Sequence, residues 1–544
     1  MVAYSLFFLL IMLIIGGIGV DFMHYEMSRT RLQNTLDRAV LAAADLQQTL
    51  DPVAVVQDYL NKADVGATLH GVPTVNSGLN YRDVTANAQM AVPTQFIHML
   101  GFSSLIAPAH AQAEEKIEAV EISLVLDISG SMNSNNRLIN LKPAAKEFID
   151  AVMALTETGG VTVSIIPYNT QVNAGATLLS YYNVSDEHTF SNCVNFDTPD
   201  FSTPALSTAQ ALKRTMHFDH FTYYEARTPG YWDRAANNWP PQSDATAQPT
   251  LPMQGWELPI PVCPTWDGTE ITVMSPDATA LKNKIDALVA NGNTSIDVGM
   301  KWAMTLLDPG TRDVITDMIA DGHVSPLNAG KPLAYDTLDA LKVIVVMTDG
   351  QNTPQFMLPE AQRTGTSDVY YYAGSTPGVY SIRAGTGTNK FFYPHNGNWA
   401  NKPYGFPGTF VDDDNDGYDD NGTLSLVTRL SYADLYAQVS QAYNARYIYG
   451  PLMGTSAAWS QWYTNAVNSV SGSDKDARLQ NICSTARHEG VVIYAIGFEA
   501  TANGNTQLRN CASSPAHFYP ATGTNITDVF QAIAASITQL RLTQ

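Results

Sequence analysis

The stretch Glu121-Ile122-Ser123-Leu124-Val125-Leu126-Asp127-Ile128-Ser129-Gly130-Ser131-Met132 decides how this chain is read. Its first half is a short apolar run of the kind that forms a strand buried on both faces of a parallel sheet. Its second half places Asp127, Ser129 and Ser131 at alternate positions where a strand turns towards a helix. A tight turn there aims three oxygens at one point. Hard oxygen donors of this kind suit Mg²⁺, Mn²⁺ or Ca²⁺.

Two more segments fit beside it. Leu341–Met347 (LKVIVVM) repeats the buried-strand pattern and runs into Thr348-Asp349-Gly350. Asn293-Thr294-Ser295 precedes a helical run from Ile296 to Leu307. Loops at the carboxyl ends of strands are where open α/β sheets bind ligands. Val161–Tyr168 and Val491–Phe498 read as further strands, and Pro276–Ala290, Asp474–Glu489 and Asp528–Leu540 as helices. The alternation predicts an α/β, doubly wound (Rossmann-like) sheet.

With those residues in order, the chain resembles the von Willebrand factor type A family. That family's metal-ion-dependent adhesion site is written Asp-x-Ser-x-Ser, a distant Thr and a distant Asp. Asp127, Ser129, Ser131, Thr294 and Asp349 match all five positions. The resemblance implies a divalent cation, Mg²⁺ or Mn²⁺, held by the hydroxyls directly and by the carboxylates directly or through water. It also implies one open coordination position for an Asp or Glu carboxylate of a protein partner.

The amino terminus has a different character. Val2 to Val20 carries no charge, and at ~1.5 Å rise per residue it is long enough to cross a ~30 Å hydrocarbon core. A cleaved signal peptide wants a basic leader and a small-residue cleavage site. Neither is evident, so a retained transmembrane anchor is expected. Arg29 and Arg31 follow the span, which by the positive-inside rule alone places the body in the cytoplasm; a basic leader ahead of Met1 would reverse that count. Cysteine usage and composition favour an oxidising, external location. Leu32, Leu36, Ala39, Ala43, Leu46 and Leu50 form a heptad-like seam on one long helix, available either to a partner helix or to the protein's own next helix. Asp51-Pro52 reads as the start of that next helix, through about Ala63. Alternation at Val84, Ala86, Ala88, Met90 and Val92 predicts a strand, and the Ala/Glu-rich segment Ala107–Glu118 reads as a linker. The expected organisation is a span over 1–20, a helical stem over 21–65, a small β region and linker over 66–118, and the type A domain over 119–544.

That domain is interrupted at 178–270 and 353–472, segments too long for structureless loops. Both are rich in aromatic residues, including Phe221-Thr222-Tyr223-Tyr224, Tyr231-Trp232 and Phe391-Phe392-Tyr393. These either present binding surface or form the cores of accessory subdomains. In the second insertion, residues 412–420 carry six aspartates in nine positions. Asp412, Asp414, Asp416 and Asp420 take positions 1, 3, 5 and 9 of a calcium loop, with Gly417 at the turn and Tyr418 offering its carbonyl. The loop resembles the DxDxDG loops of EF-hand-like and thrombospondin-type repeats, except that Thr423 stands where the bidentate Glu belongs. Ca²⁺ is expected here; without a cation, like charges should hold the loop open.

The chain has 544 residues and a formal net charge of −21, with no basic patch to neutralise nucleic-acid phosphates. The four cysteines allow three pairings. Proximity in sequence favours Cys193–Cys263 and Cys483–Cys511, the alternative being four buried thiols. There is no G-x-S-x-G, HExxH or P-loop, and His217 and His220 lack a third ligand, so no enzyme is expected. The span, the Ala-rich stem, the metal site and the ending Ile533–Leu542 are together similar to the TadG family of Tad/Flp pilus assembly proteins. That resemblance implies a bacterial envelope protein anchored in the inner membrane. Its body would lie in the periplasm or at the surface or pilus. It would act as a metal-dependent adhesion or pilus-assembly protein, or as a structural pilus base or tip component. Its partners would be pilus or secretion-machinery components or a carboxylate-presenting ligand.

Overall fold

The computed structural model describes residues 2–45, 48, 50–63, 68–77, 81–116, 119–154, 160–221, 258, 260–337, 340–375, 378–387 and 389–541. It is a mixed α/β protein with one N-terminal apolar helix.

That helix, α1 (Val2–Ala44), runs unbroken from the apolar span into the stem. It ends before Leu50, which is exposed; Leu46 lies outside the described residues. The expected six-residue seam is therefore shorter. Leu32, Leu36, Ala39 and Ala43 are buried, and they pack on α2 (Pro52–Lys62) and on a β-hairpin of the same chain. Asp51 caps α2 through the Ala54 N–H at 3.0 Å, with Pro52 in the first turn.

The hairpin comprises β1 (Tyr81–Pro93) and β2 (Ser104–Lys116), paired from end to end. The expected linker is thus mostly strand. Its alanines explain why: Ala109 and Ala111 alternate on the face that meets Ala39 and Ala43, and such small side chains let a strand lie close on a helix. Packing overrides their weak strand preference. Two short strands, Thr68–Leu69 and Thr74–Ser77, complete this sheet.

The larger sheet contains β3 (Ala119–Asp127), β4 (Val161–Tyr168), β5 (Thr272–Ser275), β6 (Ala340–Thr348), β7 (Val492–Phe498) and β8 (Phe518–Ala521), in the spatial order β8-β7-β6-β3-β4-β5. All neighbours are parallel except the β4–β5 edge. Successive residues of each strand enter opposite cores. Val125, Ile166, Ile344, Val346 and Ile493 face α5 (Ile296–Leu307) and α6 (Gly472–His488). Leu124, Leu126, Ile165, Val345 and Ile496 face α3 (Arg137–Met153), α4 (Ala278–Asp286) and α7 (Ile526–Arg541). Both-sided burial is why these strands read as continuous apolar runs.

Every residue of α5 is buried. The segment around 194–212 covers it, and Lys301 donates to Thr203 O at 2.8 Å and Ala205 O at 2.9 Å. Cys193–Cys263 and Cys483–Cys511 are both disulfide-bonded. The second long segment builds a five-stranded antiparallel sheet, Thr366–Tyr372, Val379–Arg383, Phe391–Tyr393, Asn398–Ala400 and Val427–Ser431. It has its own core around Val369, Ile382, Phe392 and Trp462. Phe391 and Phe392 are buried, so at those positions the aromatics are core. Tyr223, Tyr224, Tyr231 and Trp232 lie outside the described residues. His220 also belongs to a core, bonded to Gln441 and stacked on Tyr463 at 4.5 Å.

Candidate metal centre

The parallel register fixes the site. β3 and β6 are adjacent and end together, Leu126 lying opposite Met347. Asp127 and Asp349 therefore emerge side by side from segments more than 200 residues apart in sequence. After β3 the chain turns at once into a 3₁₀ segment, Gly130–Asn136, which presents Ser129 and Ser131 above the strand ends. Ser131 Oγ donates to Asp349 Oδ1 at 2.7 Å and lies 3.1 Å from Ser129 Oγ. Asp127 accepts from the Ser129 N–H at 2.7 Å and from Thr348 Oγ1 at 2.6 Å.

The third loop, 291–295, is held against the first by Gly130 N donating to Gly292 O at 2.9 Å. Gly292 has φ +81°, and a side chain there would press on Asn169 and Thr170. Thr294 exchanges hydrogen bonds with Thr353: its N–H meets Thr353 Oγ1 at 2.9 Å, and its carbonyl accepts the Thr353 N–H at 3.1 Å. That places Thr294 Oγ1 3.9 Å from the position a Cβ on Gly350 would take. The structure thus gathers Asp127, Ser129, Ser131, Thr294 and Asp349 at one edge of the sheet.

Burial raises the pKa of Asp127, and the neighbouring charge of Asp349 adds to it. Burial also raises Asp349, opposed by the Ser131 hydrogen bond and the Arg137 charge. Two buried carboxylates sharing one spot with hydroxyl oxygens are short of positive charge, and a small hard cation fits that donor set. The residues that would hold it are the five named.

Three contributors stand outside the five-part pattern. Arg137 donates to Asp349 Oδ2 at 2.7 Å and to Glu499 Oε2 at 3.0 Å. Its place six residues after Ser131, opening the helix that follows the loop, is a local signal that would have pointed to it. Glu499 in turn accepts from Gly523 N at 3.0 Å. Lys475 is fully buried on α6 and donates to Thr294 O, Ser295 Oγ and Thr353 O at 2.8, 2.5 and 2.8 Å. Burial pulls its pKa down to about 8 against the charge of Asp297, 4.0 Å away. Nothing local in the sequence marks Lys475, because its partners come from two distant loops.

The acidic loop lies apart, in the segment that builds the five-stranded sheet. Carboxylate oxygens of Asp412, Asp414 and Asp416 lie within 4.8 Å of one another. Asp412 is buried, accepting from Gly417 N at 3.0 Å and from Arg383 Nη2 at 2.6 Å. Asp414 and Asp416 are exposed and bond within the loop, to Asp416 N and Tyr418 N. Asp420 binds the Asp413 N–H. Asp419 binds the N–H groups of Val411 and Thr423, each at 2.9 Å. The expectation that like charges hold this loop open is not met. Arg383 and the Arg429 guanidinium, which binds the Asp416 carbonyl and lies 5.7 Å from the Tyr418 ring, close it.

Comparison with known proteins bears on the two ends of this description. Residues 1–46 match the family described as "Putative Flp pilus-assembly TadE/G-like". The chain is similar in structure to the vWF domain of the type V pili tip protein Mfa5 from Porphyromonas gingivalis, at 14% identity, over 78% of this chain and 96% of that one, with a TM-score of 0.31. It is also similar to the adhesive tip pilin GBS104 from Group B Streptococcus agalactiae, at 13% identity, over 77% and 100%, with a TM-score of 0.31. For the open conformation of the pilus adhesin SpaC from Lactobacillus rhamnosus GG the figures are 11% identity, 87% and 34%, and 0.30. No curated protein matches the chain.

Proposed function

We propose that this chain is a non-enzymatic, membrane-anchored adhesion or assembly component of a Tad-type pilus. In this reading residues 119–544 form a doubly wound type A domain with insertions at 178–270 and 353–472. The domain binds a partner's Asp or Glu carboxylate through Mg²⁺ or Mn²⁺ at Asp127, Ser129, Ser131, Thr294 and Asp349. The observation that carries the reading is the meeting of three separate loops at the ends of β3 and β6, with Ser131 bonded to Asp349. The bound cation would act as a Lewis acid with one position for the partner's carboxylate. The chain's own residues orient the donors: Thr348 and the Ser129 N–H hold Asp127, Arg137 holds Asp349, and Lys475 holds the Thr294 loop. The match at residues 1–46 supports the pilus setting. It fits an inner-membrane anchor with the body in the periplasm or on the pilus, where both disulfides are stable.

One observation favours a structural version, in which a cation only stabilises the fold. Arg137 already supplies Asp349 with a positive partner at 2.7 Å. The discriminating experiment is Asp127→Ala in the full chain, read by attachment to pilus components and by thermal unfolding. Lost attachment with an intact fold supports the adhesive reading; retained attachment moves the site to the structural one. For residues 412–420 we infer a calcium loop, closed by Arg383 and Arg429.

A further inference from the structure

A second feature lies at the tip of the β1–β2 hairpin. No Asp, Glu, Lys or Arg occurs between Asp83 and Glu114, a stretch that covers most of β1, all but the end of β2 and the turn joining them. At that turn a 3₁₀ segment, Ile97–Leu100, presents Met99 (71% exposed), Leu100 (53%) and Phe102 (62%) to the outside. So apolar a tip would be costly in water.

Its position relative to α1 supplies the reason for it. Asp21 is the first charged residue after the uncharged span, and it is 4% exposed. Its carboxylate accepts the N–H groups of Gln95, Phe96 and Ile97 at 2.9, 2.8 and 2.7 Å. A carboxylate at the end of a membrane span is expensive unless paired. Here it is satisfied by N–H groups at the start of the 3₁₀ turn, which have no partner within that turn. One helical turn deeper, Gly17 leaves room for the Phe96 ring, where any side chain would collide. Tyr25 adds a bond to Ile106 O at 3.3 Å. The tip is thus tied to the span between residues 17 and 25, with its Phe96 ring packed one helical turn, about 6 Å, below the level of Asp21. That is the depth at which interfacial apolar groups settle, ~5–10 Å into the boundary between headgroups and acyl chains. At the level of Asp21, Val20, Phe22 and Met23 of α1 are also exposed, so apolar surface of the helix and of the tip lies at the same height along the span.

We propose that the hairpin tip, residues 94–103, is a second membrane contact that inserts Met99, Leu100 and Phe102 into the bilayer beside α1. The proposal rests on the anchor reading of α1. With no Lys or Arg in the tip, insertion is driven by apolar burial and does not require anionic lipid. The test uses the full chain in phosphatidylcholine nanodiscs carrying nitroxide-labelled acyl chains. An environment-sensitive nitrobenzoxadiazole dye is attached in turn at Met99→Cys, Phe102→Cys, Leu9→Cys and Ser77→Cys. The four native cysteines are bonded and do not compete for label. Ser77 pairs opposite Arg82 at the far end of the hairpin, ~36 Å along the strand from the tip.

The expected result is blue-shifted, nitroxide-quenched emission at 9, 99 and 102, and water-like emission at 77. Quenching at 9 with water-like emission at 99 and 102 would overturn the proposal and leave the anchor standing. Water-like emission at all four would overturn the anchor as well. Labels at 99 and 102 that are shielded from water, unquenched by lipid and cross-linkable between copies would assign the patch to a second copy, and overturn it too. Adding Asp21→Ala is expected to reduce quenching at 99 and 102 and leave it unchanged at 9; unreduced quenching would refute the tether.

Discussion

The two carboxylate clusters of this protein are built in opposite ways. At the strand ends, Asp127 and Asp349 come from segments far apart in sequence and meet because β3 and β6 are parallel neighbours. In the loop 412–420, the acids are contiguous and need only a turn. Each cluster has recruited an arginine with nearly the same geometry: Arg137 to Asp349 at 2.7 Å and Arg383 to Asp412 at 2.6 Å, both guanidinium side chains about 85% buried. The difference is in what else the arginine holds. Arg383, at the end of the strand Val379–Arg383, directs its bonds into the one loop, adding Asn415 Oδ1 at 2.5 Å. Arg137 reaches Glu499 on a separate loop after β7. A contiguous cluster can be satisfied locally. A cluster assembled by the sheet is coupled to the sheet.

The sharpest way to break the comparison is to remove one acid from each cluster. Asp127→Ala is expected to abolish Mg²⁺ binding, and Asp414→Ala to leave it intact, by calorimetry on the purified full chain. If both variants bind Mg²⁺ like wild type, the strand-end cluster is not the metal centre. Next in size is Arg137→Ala. Leaving Asp349 without its charged partner should cost about 3–5 kcal/mol in denaturant unfolding without metal. Saturating Mg²⁺ should restore part of that loss, since a ligand that binds only the native state stabilises it. Arg383→Ala should show the same pattern with Ca²⁺ in place of Mg²⁺.

A smaller effect distinguishes the clusters by pH. The pKa of Asp127 is pushed up to about 7 by burial and the Asp349 charge. A cation must displace that proton, so Mg²⁺ affinity should fall steadily as pH drops from about 8 to about 6, by up to tenfold per unit. Affinity that stays flat down to pH ~5 would mean that Asp127 is ionised before the metal arrives. The smallest effect is on the acidic loop, already closed by arginines. Ca²⁺ should slow proteolysis within 410–424 severalfold at most, and Asp414→Ala should remove that protection.

How much of this was legible depends on how local each feature is. Four strands of the larger sheet, β3, β4, β6 and β7, read directly from apolar runs, and α5 over Ile296–Leu307 from its pattern; the short edge strands β5 and β8 carry no such run. The five ligand candidates were visible because each lies at the end of such an element. Lys475 and Glu499 were not, because they act on loops brought to them by the sheet register. The linker expected at Ala107–Glu118 became β2 because Ala109 and Ala111 find the small-residue face of α1, a contact that composition does not encode. The acidic loop was read from its own aspartates, without Arg383 and Arg429, which come from two strands of the five-stranded sheet.

The hairpin has one further consequence, which is mechanical. β2 rises from the tip beside the anchor and is followed after only two residues by β3, the strand that ends at Asp127. A pull between the bilayer and a partner held at the strand ends would run along β3. That strand is bonded to parallel neighbours on both sides, through eight paired positions with β6 and eight with β4. Tension on such a strand loads its hydrogen bonds in shear, all together, and does not peel them one at a time. If a partner is held at the strand ends, as proposed, both ladders of β3 would share the load at once.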